Sequence, residues 1–143
     1  MGGDIVRNKQ KMLLGVISVL ILISLSACGG EKETIRIVEH EIINKNSHQT
    51  ANAVRYSLDV LVKEEATEEE LKALAEKIVE DFKKEEDFNA LSIGFYDNAE
   101  DIGYGYTLGN IDYAPYGDWG RASEVGAGDY SKSEYSYSLN LDQ

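Results

Sequence analysis

The sequence predicts an α+β domain: a mostly antiparallel sheet with one long amphipathic helix packed on one face. Three observations lead there. Val54, Tyr56, Leu58, Val60 and Val62 alternate with Arg55, Ser57, Asp59, Leu61 and Lys63, the period-two pattern of a strand with one buried face. Residues 67–86 instead carry apolar side chains at helical spacing. Shorter period-two runs stand on both sides of that helix, which points to a helix laid on a sheet.

Each element follows from its residues. Thr34 to Ile43 reads TIRIVEHEII; Ile35 and Ile37 alternate with Arg36 and Val38, and β-branched residues abound, so a strand is predicted. Asn44-Lys45-Asn46-Ser47 is a cluster of turn formers, which would make a hairpin with the strand at 54–63. Thr67-Glu68-Glu69-Glu70 is a capping box, the threonine hydroxyl accepting from the Glu70 amide while Glu70 reaches back. Leu71, Leu74, Ala75, Ile78, Val79 and Phe82 then form one apolar stripe. Acids open this helix and Lys83 and Lys84 close it, matching its dipole. Glu68–Lys72, Lys77–Asp81 and Glu80–Lys84 pair one turn apart.

Beyond the helix, Leu91, Ile93 and Phe95 alternate with Ser92, Gly94 and Tyr96 in another strand, and Asp97 to Gly103 reads as a loop. Tyr104, Tyr106 and Leu108 predict a strand that resumes at Ile111 and Tyr113 after a Gly109-Asn110 turn. The chain extends again around Trp119. Tyr135, Tyr137, Leu139 and Leu141 mark a closing strand.

The amino-terminal segment has a different character. LISLSACGG, Leu22 to Gly30, holds the one cysteine of the 143-residue chain. Arg7, Lys9 and Lys11 precede an uncharged run from Met12 to Leu25. As a helix that run spans roughly 21 Å, short of the roughly 30 Å hydrocarbon core of a bilayer. A basic start, a short apolar run and small residues after it have the layout of a secretory signal. One cysteine allows no intramolecular disulfide, and a zinc site wants several such ligands.

Leu25-Ser26-Ala27-Cys28 resembles the lipobox of bacterial lipoproteins, whose pattern is Leu, a small residue, Ala or Gly, then Cys. The resemblance implies a signal peptide at 1–27, cleavage between Ala27 and Cys28, and a diacylglyceryl group on the Cys28 sulfur. No other cofactor is expected. Two acyl chains suffice for stable anchoring in a membrane. Residues 28–33 would be a lipidated flexible tether, and 34–143 a single domain facing outside the cytoplasm.

Charge narrows the partners. Removing residues 1–27 takes away Arg7, Lys9, Lys11 and Asp4, leaving 11 basic residues against 25 acidic ones and a formal charge of −14. Such a domain has no cationic face with which to release counterions from nucleic acid, so no nucleic-acid partner is expected. Direct adhesion to anionic lipid is disfavoured for the same reason.

Candidate chemistry is sparse. Asp97 to Gly103, DNAEDIG, has an acidic loop composition but puts Ala99 at position 3, where an EF-hand needs a ligand, and delays the glycine by one. His40 and His48 are the only histidines, and a hairpin bringing them together would still be a thin zinc site; no metal is assigned. No GxSxG elbow, P-loop or dinucleotide fingerprint occurs, and no catalytic residue is assigned. From Phe95 onward, however, the chain holds eight of its nine tyrosines and its sole tryptophan. Tyr104, Tyr106, Tyr113, Tyr116 and Trp119 crowd one stretch, and such residues bury much area with few rotors while keeping a polar tip.

The expected function is therefore a non-enzymatic binding role for a membrane-anchored surface lipoprotein, with these aromatics meeting a surface protein or an envelope glycan. The alternative is an extracytoplasmic enzyme acting on an envelope polymer. The mature part also resembles small surface lipoproteins of Gram-positive bacteria and their mobile elements, some of which act as exclusion or immunity factors. The sequence leaves the oligomeric state open.

Overall fold

The structure, a computed structural model, describes residues 34–141. The signal segment, the Ala27–Cys28 cleavage site and the tether lie outside the described residues. Five strands form one sheet in the order of the chain: β1 (His40–Ser47), β2 (Arg55–Val62), β3 (Ala90–Tyr96), β4 (Gly109–Pro115) and β5 (Ser133–Leu139). One helix, α1 (Glu68–Glu85), lies between β2 and β3. The fold is α+β and the sheet mostly antiparallel. Only β2 and β3 run parallel, because the α1 crossover returns the chain to the same end of the sheet.

The core lies between α1 and one sheet face. Leu71, Leu74, Ala75, Ile78, Val79 and Phe82 are buried along α1. They meet Tyr56, Leu58, Val60 and Val62 from β2, Leu91, Ile93 and Phe95 from β3, and Ile111 and Tyr113 from β4. The Thr67 hydroxyl accepts from the Glu70 amide at 3.3 Å, and the Glu70 carboxylate accepts from the Thr67 amide at 2.9 Å. The capping box thus fixes the start of α1, and the Glu86 amide donating to the Phe82 carbonyl marks its end.

Three local expectations are corrected. Asn44 to Ser47 is the second half of β1 rather than a turn, and 34–39 is not strand. As an edge strand β1 needs no apolar alternation, since nearly all of it is exposed. A bulge between Ile42 and Asn44 inserts an extra residue, so that Lys45 lies over the Tyr56 and Phe82 rings while Asn44 bonds Asp59. Bulges reset which residues face which side.

The strand predicted at Tyr104–Leu108 is loop, and Gly109-Asn110 opens β4 instead of turning. Gly109 has φ +97°, and a Cβ there would stand 2.2 Å from the Ser138 carbonyl oxygen; only glycine lets β5 pass so close. The stretch around Trp119 is a 3-10 helix, Trp119–Glu124, rather than extended. The Asp118 carboxylate caps it by accepting from the Gly120 amide at 2.7 Å, a local bond that competes with strand formation.

Candidate functional site

The sheet face turned away from α1 is built from the polar half of each strand. Register sets Asn46, Ser57, Ser92, Asp112 and Ser136 side by side across all five strands. The next row runs Asn44, Asp59, Gly94, Asn110 and Ser138. Ser57, Asp59, Ser92, Asn110, Asp112 and Ser136 are half-buried. The result is a floor of small hydrogen-bonding groups in a strongly acidic domain.

Two gaps in side-chain volume flank this floor, and an aromatic ring lies in each. At Gly94 the ring of Tyr106 rests on bare backbone: a Cβ there would be 2.1 Å from Tyr106 Cε1. At the other end Ala53, Ala90, Ala114 and Ala122 make a small cluster against which Trp119 packs. Gly and Ala at these positions are what allow the rings to lie down on the sheet.

The Tyr106 end borders an open cavity of about 450 Å³, a volume within the range of small-ligand sites. Asn46, Ser57 and Asp59 line it from the strands, and Tyr96, Tyr104 and Tyr106 from the side. Tyr106 stands edge-on to Tyr96, with ring centroids 5.6 Å apart. The Tyr96 hydroxyl donates to Asp59 Oδ1 at 3.3 Å, and the Asn44 amide donates to Asp59 Oδ2 at 3.0 Å. Burial, followed by the charges of Asp59 and Asp112, pushes the Tyr106 hydroxyl above its ordinary range; burial does the same to Tyr96. Both phenols therefore stay protonated, able to donate and accept. Tyr104 sits between Gly103 (φ +94°) and Gly105 (φ +139°) and is 91% exposed.

A shoulder continues from Ser57 toward Trp119. His48 Nε2 lies 2.8 Å from the Ser57 hydroxyl, and the His48 ring meets Trp119 edge-on with centroids 6.0 Å apart. Arg55 lies alongside, its guanidinium carbon 5.9 Å from the Trp119 ring centroid. Arg55 Nε is buried without a hydrogen-bond partner, an arrangement that costs on the order of 1–3 kcal/mol. Arg36 and Arg121 each sit on carboxylates; Arg55 forms no ion pair among the described residues.

The five sequence-predicted aromatics do not share one surface. Tyr104 and Tyr106 border the cavity and Trp119 stands at the far end of the same sheet face. Tyr113 points the other way into the core, 4.8 Å from the Tyr135 ring and beneath the Lys83 ammonium, because its neighbours Ile111 and Leu91 set that parity. Tyr116 occupies a tight turn at φ +56°, with Arg121 3.7 Å above its ring. His40 and His48 sit near opposite ends of β1, His40 against the Val38 carbonyl. In DNAEDIG, Asn98 caps a one-turn 3-10 helix through the Glu100 amide.

Sequence reasoning missed Asn46, Ser57, Asp59, Tyr96, His48 and Arg55. For Arg55, Ser57 and Asp59 the signal lay in the polar half of the alternation of β2, which reads as an ordinary solvated face. Larger cavities of about 530 and 620 Å³ meet at Glu64 and Glu65. In the second, Arg36, Glu64, Glu70 and Thr67 bond one another. No family model, curated protein or solved structure matches the chain.

Proposed function

We propose that this chain is a lipid-anchored binding protein on the outer side of the cytoplasmic membrane, held through Cys28, whose ligand site is the tyrosine-walled cavity. One observation carries the binding reading. Residues from β1, β2, β3 and the loop before β4 converge on a hydrogen-bonding floor beside aromatic rings, on the sheet face that the core does not use. The Ser57–His48 pair is the feature that favours a hydrolytic alternative. A serine hydrolase, however, also needs backbone amides free to hold an oxyanion. Ser57 lies inside β2 with β1 and β3 paired on either side, so its ladder amides are committed.

The test uses the full-length protein. Wild type should fractionate with membranes and show a diacylated amino-terminal Cys28 by mass spectrometry, whereas Cys28→Ala should not be retained. Detergent-solubilised wild type should co-sediment with isolated envelope material, and Tyr106→Ala should lose most of that retention while keeping its circular dichroism. Equal retention of Tyr106→Ala refutes the cavity as the site. Turnover of envelope polymer by wild type that disappears in Ser57→Ala would replace binding with catalysis.

A further inference from the structure

We infer that the ligand of this face is a short saccharide chain carrying a carboxylate, its rings over the cavity floor and its carboxylate on Arg55. The inference rests on the binding reading above and names its ligand class.

The cavity end fits the hydroxyl-rich faces of sugar rings. Asp59 keeps lone pairs beyond those taken by Tyr96 and Asn44, Asn46 and Ser57 donate and accept, and Tyr106 offers a protonated phenol beside a flat apolar ring. Adjacent sugar hydroxyls, which donate and accept together, match this mixed set better than a hydrocarbon ligand would. Tyr104, exposed on its Gly-Tyr-Gly tip, is the ring available from above.

The shoulder supplies the charge. Arg55 and Asp59 lie four residues apart on the same side of β2, about 13 Å at strand spacing. That exceeds one sugar ring and suits an oligosaccharide running along the strand, with Ser57 between. Arg55 has its Nε buried and, among the described residues, no ion-pair partner, although acids are abundant in the sequence. With Nε buried, a carboxylate would meet the two terminal nitrogens of the planar guanidinium. Its single negative charge matches one arginine, whereas a phosphate dianion would bring a second, unmatched charge toward Asp59, Asp112 and Glu134. The Trp119 ring, its centroid 5.9 Å from the guanidinium carbon, offers a flat apolar neighbour to the pair.

The experiment is calorimetric titration of the detergent-solubilised full-length protein with a neutral-ring oligosaccharide that carries one terminal uronic acid and with its methyl ester, which keeps the rings and removes the charge. Wild type should bind the acid form more tightly than the ester by about tenfold or more, the gap expected of a charged hydrogen-bonding group. Raising salt should narrow that gap. Arg55→Gln should bring acid and ester to equal affinity, while Arg55→Lys should keep part of the gap. Equal affinity of wild type for acid and ester overturns the inference without using any variant. So does binding of envelope material with no binding of either oligomer, a result under which the binding reading itself survives.

Discussion

At the scale of single residues, the site depends on side chains that are absent. Gly94 and the alanines at 90 and 114 leave hollows in a half-polar sheet face, and Tyr106 and Trp119 fill them. Gly94→Ala would place its methyl group inside the Tyr106 ring position. The ring must lift away, so we expect a loss of about 1–3 kcal/mol, the usual range for overpacking, together with weakened ligand binding. Denaturant titration of the variant checks the first effect, and an unchanged midpoint would show that Tyr106 does not rest there. Tyr113 makes the opposite point. It shares its composition signal with Tyr106, yet its place in the period-two pattern of β4 sends it to the core.

At the scale of elements, α1 was legible in full because its information is local. The capping box, the stripe from Leu71 to Phe82 and the basic last turn all lie within twenty residues of one another. Leu74 is fully buried in the core and Ile78 nearly so, so Leu74→Ala should cost about 2–5 kcal/mol and Ile78→Ala a similar amount. Chemical denaturation of both variants measures this, and losses below about half a kcal/mol would contradict the packing. β2, β3 and β5 were also readable, since each alternates visibly. β1 and the start of β4 were not. Edge position removes the need for apolar alternation in β1, and the Tyr106 loop before β4 carries tyrosines for the open face rather than for a strand. Trp119 was misread as extended because the Asp118 cap that curls the chain is a single side-chain bond.

At the scale of the whole molecule, ionisation sets the limits of stability. Arg36 holds the Glu70 carboxyl below its ordinary range; a bond from the Glu39 amide, then Arg36, does so for Glu64. Lys45 and Tyr56 lower Glu86, and Lys77 and Lys84 lower Asp81 to about 2. Groups depressed in the folded state stabilise it above their unfolded values and lose that contribution as pH falls through their folded ones. The tyrosines at 96, 106, 130 and 135 are shifted the other way, burial being the main cause, so they favour the fold below their ordinary value of 10 and cease to do so above it. The urea midpoint should therefore hold steady between about pH 4.5 and 10, declining below as carboxylates protonate and above as phenols ionise. A midpoint that rose on acidification from pH 4.5 would refute the acid half. Sequence alone determined the fold class, the helix with its buried stripe, and the acidic charge, because periodicity, capping and composition act over a few residues or over the chain as a sum. Only the tertiary structure decided the parallel pairing of β2 with β3, the bulge that turned Asn44 and Asn46 to the open face, and the meeting of Asn46, Ser57, Asp59 and Tyr106 in one cavity. Those outcomes depend on register between segments distant in the chain, and register is settled only when the two faces of the sheet find what covers them.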